Sequence, residues 1–222
     1  MEKNRKDQGD KIRGLFSGLI ENEHIHQVQI DNEGLYSVTN GTIANETSVY
    51  IMDEYKKHFE TTPTTITDAL SCVGGNTLSF AKHFSHVNAV EIDATRSSML
   101  KHNLQLAHVQ DRVTLYPKTD YLEVMYMLTQ DVLFFDPPWG GPDYKYKTHV
   151  DLYIGNKNIN KIIYELMNST IPRAKMIVLK APLNFNKEGL EAYCKKGQCV
   201  ICFHKRMSKM QLFFIIKDTN VA

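Results

Sequence analysis

The pattern of apolar and polar positions changes at Pro63. Beyond it, short unbroken apolar runs alternate with longer segments whose apolar residues recur at helical spacing, which is the order of repeated β-α-β units. Because parallel strands need helical crossovers, this order predicts an α/β fold with five parallel strands and a closing antiparallel hairpin. The predicted strands cover residues 64–70, 87–92, 113–116, 132–135, 175–180, 200–203 and 211–216, and the predicted helices cover 77–83, 94–107, 121–128, 159–167 and 189–195.

The N-terminal quarter of the chain predicts a small helical extension. An amphipathic helix is expected near the start, and a second over residues 43–59 with Thr39 or Asn40 as its N-cap. We therefore divide the chain into an extension, 1–62, and an α/β domain, 63–222. The first helix carries basic residues that form either a solvated terminus or an arm that contacts phosphates. These residues are Lys3, Arg5, Lys6, Lys11 and Arg13.

One predicted strand ends in an unusual run of residues. The apolar segment 132–135 is followed directly by Asp136, two prolines, Trp139 and two glycines. Proline has no backbone N–H and a fixed φ, so the strand must end there and the next backbone is rigid. An acceptor side chain, a proline carbonyl and an aromatic face at this strand end suit a planar amine. The run predicts methyl transfer from S-adenosylmethionine to a nitrogen of a base or amide, although a sharp turn with a core tryptophan is the simpler alternative.

Three further strand ends carry residues suited to a cofactor. Asp68 precedes a turn with Gly74 and Gly75, where backbone can approach a ligand closely and a helix N-terminus can bind a carboxylate. Glu91 follows about 20 residues later, where an acid takes ribose hydroxyls in nucleotide-binding units. Asp120, after the third strand, is placed for an adenine amine. The residues assigned to this site are Thr39, Asp68, Cys72, Gly74, Asn76, Glu91 and Asp120.

Charge and composition limit the classes of partner and the cellular compartments that can be expected for this chain. The formal net charge is +1, so a polyanion would have to be held by local basic patches. The sequence has no signal-peptide pattern, and no apolar run approaches the roughly 20 residues that span a bilayer. We expect a nuclear or cytoplasmic protein that is not secreted and not membrane-attached. Cys199, Cys202 and His204 resemble half of a metal site, but no second pair accompanies them and no metal is expected.

Several motifs together resemble the trimethylguanosine synthase family, whose members methylate the exocyclic N2 of a 7-methylguanosine RNA cap. The most specific is PPWGGPDY at 137–144, and weaker matches are 36–39, 68–76, Ile92-Asp93 and Asn103. The resemblance covers nearly the whole chain and implies a class I Rossmann-like methyltransferase with a seven-stranded, mostly parallel sheet. It implies that Trp139 stacks on 7-methylguanine, and a tryptophan face is the best side-chain partner for a cationic ring. The residues placed on the substrate side are Asn103, Pro138, Trp139, Asp143, Tyr144 and Asn184.

Four positions depart from the family pattern. Animal members carry serine where Asp136 stands, and Asp136 instead matches the acid of amino-methyltransferases that act on adenine, cytosine or glutamine. Cys72 replaces the first glycine of the turn, Leu35 replaces an aromatic residue, and Leu183 replaces an arginine expected to meet cap phosphates. The candidates to replace that arginine are Lys180, Lys145 and the N-terminal basic arm.

The expected function is methyl transfer from S-adenosylmethionine to N2 of the 7-methylguanosine cap, once or twice. Asp136, Pro137 and Trp139 form the expected catalytic set: the carboxylate and the Pro137 carbonyl accept the amine hydrogens while Trp139 holds the ring. The partner would be capped RNA, and we expect a monomer. Two alternatives stay open: another amino-methyltransferase acting on a different RNA or DNA base or on glutamine, and a silent cap-binding module.

Overall fold

The computed structural model describes residues 2–169 and 173–218, with side chains from residue 8 onward. The side chains of Lys3, Arg5 and Lys6 in the predicted basic arm lie outside these described residues. The helices are α1 (Glu2–Phe16), α2 (Gly34–Ser37), α3 (Gly41–Phe59), α4 (Gly75–His83), α5 (Ala94–Leu106), α6 (Tyr121–Val124), α7 (Ile159–Met167) and α8 (Lys187–Lys196). The strands are β1 (Thr65–Asp68), β2 (His86–Glu91), β3 (Val113–Pro117), β4 (Val132–Phe135), β5 (Tyr153–Ile154), β6 (Lys157–Asn158), β7 (Met176–Pro182), β8 (Cys199–Arg206) and β9 (Met210–Lys217). Short 3₁₀ helices cover Ile25–Gln27, Gln110–Arg112 and Pro142–Tyr146.

The larger sheet has seven strands in the order β3-β2-β1-β4-β7-β9-β8. β1, β2 and β3 pair in parallel, and so do β4 and β7. β9 runs antiparallel to both β7 and β8. β4 and β7 are buried along their whole length, as expected for strands covered on both faces. The predicted fold class, a mostly parallel seven-stranded sheet with a terminal antiparallel hairpin, is confirmed.

The sequence predicted some elements closely and missed others. β4 and α7 have the predicted bounds, whereas β1 ends at Asp68, two residues early. The short helix α2 was missed; it begins at Gly34, whose N–H donates to the Asp31 carboxylate at 2.7 Å. β5 and β6 form a separate two-stranded sheet that was also missed, since two-residue strands carry no periodic signal.

The chain divides into two compact units, and the first is Met1–Glu123. Within it, the N-terminal helices share a unit with β1, β2 and β3. Asn40, rather than Thr39, is the N-cap of α3, since its carbonyl oxygen accepts from the Ile43 N–H at 3.0 Å. The Ser48 and Ser79 hydroxyls, 2.7 Å apart, join α3 to α4. The proposed domain boundary at 62/63 stays a prediction.

The second unit is Val124–Ala222 and contains β4 to β9 with α7 and α8. The three side chains that resemble half of a metal site, those of Cys199, Cys202 and His204, make other contacts in this unit. The Cys199 thiol donates to the Cys194 carbonyl and the Cys202 thiol to the Phe214 carbonyl. The His204 ring stacks on Phe213 with centroids 4.6 Å apart. Among the described residues, no helix combines the length and apolar character needed to cross a bilayer.

Candidate active site

The turn after β1 is built from close backbone contacts. Gly74 is the N-cap of α4 with a φ of 106°, a left-handed conformation that favours glycine. A Cβ on Gly75 would lie 2.5 Å from the Thr39 carbonyl oxygen, so only glycine fits there. This contact brings Thr39, which was assigned to the cofactor site, against the turn. Its carbonyl and the N-terminus of α4 therefore lie at one place in the first unit.

Asp68 ends β1 and its side chain is fully buried. The carboxylate accepts a hydrogen bond from the Thr77 hydroxyl at 2.6 Å, which links the strand end to the first turn of α4. Asn76, the preceding residue on that turn, is also buried. The role of Thr77 was not predicted from the sequence. The signal that could have revealed it is the spacing, because a strand-turn-helix unit brings a hydroxyl nine residues after the acid back to the end of the strand.

Glu91 ends β2 and is buried among hydrogen-bond donors. Its two carboxylate oxygens accept from the Cys72 and Asp93 backbone N–H groups, each at 2.8 Å. Arg96 lies 3.5 Å from the same carboxylate and 2.5 Å from Glu33. Burial lowers the pKa of Arg96, but the Glu33 hydrogen bond and the Glu91 and Glu33 charges together raise it above its ordinary value. Arg96, which sequence reasoning missed, thus ties the loop before α2 to the acid at the end of β2.

Cys72 stands where the family has a glycine, and its backbone has a φ of 49°. A non-glycine residue in this left-handed region carries a strain of about 1–2 kcal/mol. Burial raises the pKa of the thiol to about 11, and the Ser37 hydroxyl lies 3.6 Å from the sulfur. The thiol is therefore neutral near pH 7 and acts as a small apolar group above the turn rather than as a nucleophile.

Two predicted site residues have local roles in this structure. Asn103 is fully buried, and its amide hydrogens go to the Gln29 and Val73 carbonyls, so it supports the turn from below. Both side-chain amide hydrogens of Asn103 are used in these bonds, so this geometry does not favour a hydrogen bond from Asn103 to the substrate. Asp120 lies three residues after β3 and accepts from the Leu122 N–H at 2.9 Å, at the start of α6.

The end of β4 in the second unit carries a buried ion pair. Lys180 Nζ lies 2.6 Å from Asp136 Oδ2, with the side chains 6% and 12% exposed. Phe135 in β4 lies opposite Leu179 in β7. Asp136 and Lys180, the residues that follow them, are therefore brought together. The same ammonium lies 5.5 Å from the centre of the Trp139 ring. Lys180, a candidate for cap phosphates from sequence, is instead buried against this acid and this ring.

Trp139 is supported by the residues that follow it. Its ring meets the Tyr144 ring edge-on, with centroids 5.1 Å apart. Within the part of the chain that the structure describes, the buried indole Nε1 has no hydrogen-bond acceptor. The Asn184 amide donates to the Tyr144 and Lys147 carbonyls at 2.8 and 2.7 Å, which fixes the loop that carries Tyr144. Pro138 and Asp143 are exposed beside this aromatic pair.

The comparisons with known proteins agree with this architecture. Human methyltransferase 10 domain containing protein superposes with a TM-score of 0.62 at 12% identity, over 98% of this chain and 97% of that one. A trimethylguanosine synthase of Schizosaccharomyces pombe is 29% identical over 75% of this chain and 67% of its own length. An uncharacterized protein of Acanthamoeba polyphaga mimivirus is 28% identical over 79% of this chain and 75% of its own length.

The fold is that of the class I Rossmann-like methyltransferases. More narrowly, residues 63–216 match the family model for RNA cap guanine-N2 methyltransferases, and the chain belongs to that family. Fold and family together imply methylation with S-adenosylmethionine as the methyl donor.

The residues of the first unit fit such a donor chemically. A cationic amino group suits the Asp68 carboxylate, and a carboxylate suits the N-terminus of α4, which is nine residues long. Glu91 already accepts two backbone N–H groups, but a carboxylate has about four acceptor positions and can also take ribose hydroxyls. Asp120 is an acceptor at the next strand end.

Proposed function

We propose that this protein transfers a methyl group from S-adenosylmethionine to the exocyclic N2 of a 7-methylguanosine RNA cap. The observation that carries the proposal is the aromatic and acidic platform after β4. There, Trp139 stands beside the Asp136–Lys180 ion pair on backbone stiffened by two prolines. Membership of the cap guanine-N2 family supports the choice of base.

Trp139 suits the base because 7-methylguanine is cationic and the indole face attracts cations. Lys180 would by itself repel such a base, since its ammonium is only 5.5 Å from the ring centre. Its partner Asp136 carries the opposite charge at 2.6 Å, so the platform as a whole holds a neutral pair. The cationic base therefore meets the aromatic face without an uncompensated positive charge beside it.

Asp136 and the Pro137 carbonyl are the acceptors proposed for the two hydrogens of the N2 amine. A carboxylate has about four acceptor positions, so Asp136 is proposed to accept an amine hydrogen in addition to its bond from the Lys180 ammonium. Two acceptors would fix the plane of the amine and direct its lone pair, and alignment of this kind supplies much of the rate for a weak nucleophile. The carboxylate would also stabilise the positive charge that develops on nitrogen when its bond to carbon forms.

In the first unit, Asp68, Glu91 and Asp120 are the residues proposed to hold the methyl donor, with Thr39, Cys72, Gly74 and Asn76 around it. When bound, S-adenosylmethionine supplies an electrophilic methyl group on a sulfonium. Both groups of residues follow the carboxyl ends of strands, where open α/β sheets bind ligands. We propose that the activity lies in the nucleus or cytoplasm, where a capped RNA substrate would be met.

The test is methyl transfer from labelled S-adenosylmethionine to a 7-methylguanosine cap dinucleotide, with the unmethylated guanosine cap as the control. Nuclease digestion of the product locates the methyl group and counts the transfers. Label on N2 only when N7 is already methylated supports the proposal. Transfer to both caps would favour a broader guanine enzyme, and binding of the cap without transfer would favour a silent cap-binding module.

A further inference from the structure

The loop that follows the platform has an unusual surface. Residues 142–149 have the sequence PDYKYKTH, and every one of them except Tyr144 is exposed. Tyr146 is 88% exposed, although a tyrosine ring in water forgoes the free energy of its burial. Single exposed apolar side chains are normal on protein surfaces, and it is the neighbours of Tyr146 that make this loop unusual.

Those neighbours alternate aromatic and basic side chains. Tyr144 stacks edge-on with Trp139, and the ammonium of Lys145 lies 5.9 Å from the centre of the Tyr144 ring. Lys147 extends back along the loop, since its Nζ lies 3.9 Å from the position of a Cβ built on Gly140. Aromatic and basic side chains therefore alternate along the sequence from Tyr144 to Lys147, and the first of them contacts Trp139. Asp143 is the exposed acid in this segment, against two exposed lysines.

The loop backbone is fixed even though its side chains face water. Asn184 donates to the carbonyls of Tyr144 and Lys147, and its own carbonyl accepts from the Val150 N–H at 2.9 Å. The Lys147 N–H also bonds to the Tyr144 carbonyl at 3.2 Å. A fixed backbone lowers the entropy lost when the side chains of the loop engage a ligand.

We infer that residues 144–147 bind the RNA chain that follows the cap, with Tyr146 stacking on a base and Lys145 and Lys147 contacting phosphates. Aromatic rings interleaved with basic side chains are how proteins hold single-stranded nucleic acid without regard to sequence. The inference rests on the proposed function, because the cap on Trp139 sets where the chain begins. It also identifies cations to replace the missing arginine at Leu183.

The experiment compares three unstructured ligands: a 7-methylguanosine cap dinucleotide, a 10-nucleotide RNA with that cap, and the same RNA without a cap. Binding to the full chain is measured by fluorescence anisotropy at several salt concentrations. Stacking of one base predicts that the wild type binds the capped RNA at least about fivefold more tightly than the dinucleotide. Tyr146→Ala should weaken binding of the capped RNA by about fivefold or more and leave dinucleotide binding unchanged, whereas Tyr146→Phe should bind both ligands as the wild type does.

Lysine variants test the phosphate contacts separately. Each phosphate contact to a single strand contributes about 0.7 to the slope of log affinity against log salt, so Lys145→Gln with Lys147→Gln should reduce the slope by about 1.4. The matched controls are Tyr126→Ala, at a tyrosine that is 46% exposed, and Lys209→Gln, at an exposed lysine. Neither should change the affinity for any of the three ligands or the salt slope.

The outcomes separate the two proposals. If Tyr146→Ala binds the capped RNA as tightly as the wild type does, or the wild type shows no preference for it, the inference is wrong while cap methylation can still stand. If the dinucleotide is neither bound nor methylated, the proposed function fails. In that case weaker binding of the uncapped RNA by Tyr146→Ala would still support an RNA-binding loop.

Discussion

Replacing Lys180 by methionine tests the buried ion pair at the platform. The change keeps the aliphatic stem and removes the charge that lies 2.6 Å from Asp136. At that distance and an effective dielectric constant of about 20, the attraction is about 6 kcal/mol. Desolvation of the two ions costs several kcal/mol each, so the intact pair adds little net stability, whereas removal of the ammonium takes away the attraction that compensates the desolvation of the acid. We expect Lys180→Met to lower the free energy of unfolding by about 3–5 kcal/mol.

The assay is urea unfolding followed by far-UV circular dichroism and by the fluorescence of Trp139, the single tryptophan of the chain. Coincidence of the two transitions validates a two-state treatment. Asp136→Asn combined with Lys180→Met removes both charges and should restore most of the loss. The matched control is Lys175→Met, which removes a lysine 3.8 Å from Asp131, where these two residues directly precede β7 and β4. Because Lys175 is 57% exposed, that change should cost less than about 1 kcal/mol.

Two results would refute this reasoning. A loss at Lys180 no larger than the loss at Lys175 would mean that solvent screens the pair as it screens a surface one. A double variant whose loss equals the sum of the single losses would mean that the two side chains do not interact.

The remaining predictions concern the base, the cofactor acid and the thiol. Trp139→Ala should weaken binding of a 7-methylguanosine cap analogue by roughly 30-fold, measured by calorimetry, while Asp136→Ala should mainly reduce turnover; the opposite pattern would contradict their assigned roles. Arg96→Ala should cost about 1.5–3 kcal/mol of stability and weaken S-adenosylmethionine binding, because Glu91 loses a charged donor; unchanged calorimetric affinity would exclude that role. For Cys72, the pKa is about 11 in the folded protein against 9.0 as its ordinary value, so the unfolded chain releases the proton first as pH rises. The wild type should therefore lose up to about 3 kcal/mol between pH 9 and 11 that Cys72→Ser does not lose, and parallel urea midpoints for the two proteins would refute the shift.

The order of helices and strands could be predicted from the sequence because it depends on local patterns of apolar and polar residues. The apolar run before Asp136 and the prolines after it define β4 and its end without any tertiary information. The backbone conformation of Cys72 could not be predicted in this way, since the residue type alone does not reveal a left-handed φ. Asn103 was placed with the substrate by resemblance, but its partner Gln29 lies 74 residues away, and only the folded chain shows the amide to be used up.

Lys180 and Asp136 are 44 residues apart, and neither alone indicates an ion pair. Their contact follows from two facts that the sequence does not supply together: β4 and β7 are parallel neighbours, and Phe135 lies opposite Leu179. The pairing also gives a physical account of the departure at Asp136. Without a partner, an acid in place of the serine expected there from the family resemblance would be a buried charge beside the aromatic ring that we propose binds a cation. Lys180 neutralises that charge and holds the carboxylate that we propose as an acceptor for the amine. On this argument the acid and the lysine form one functional unit, and serine at 136 is expected to be compatible with the site only when residue 180 is uncharged.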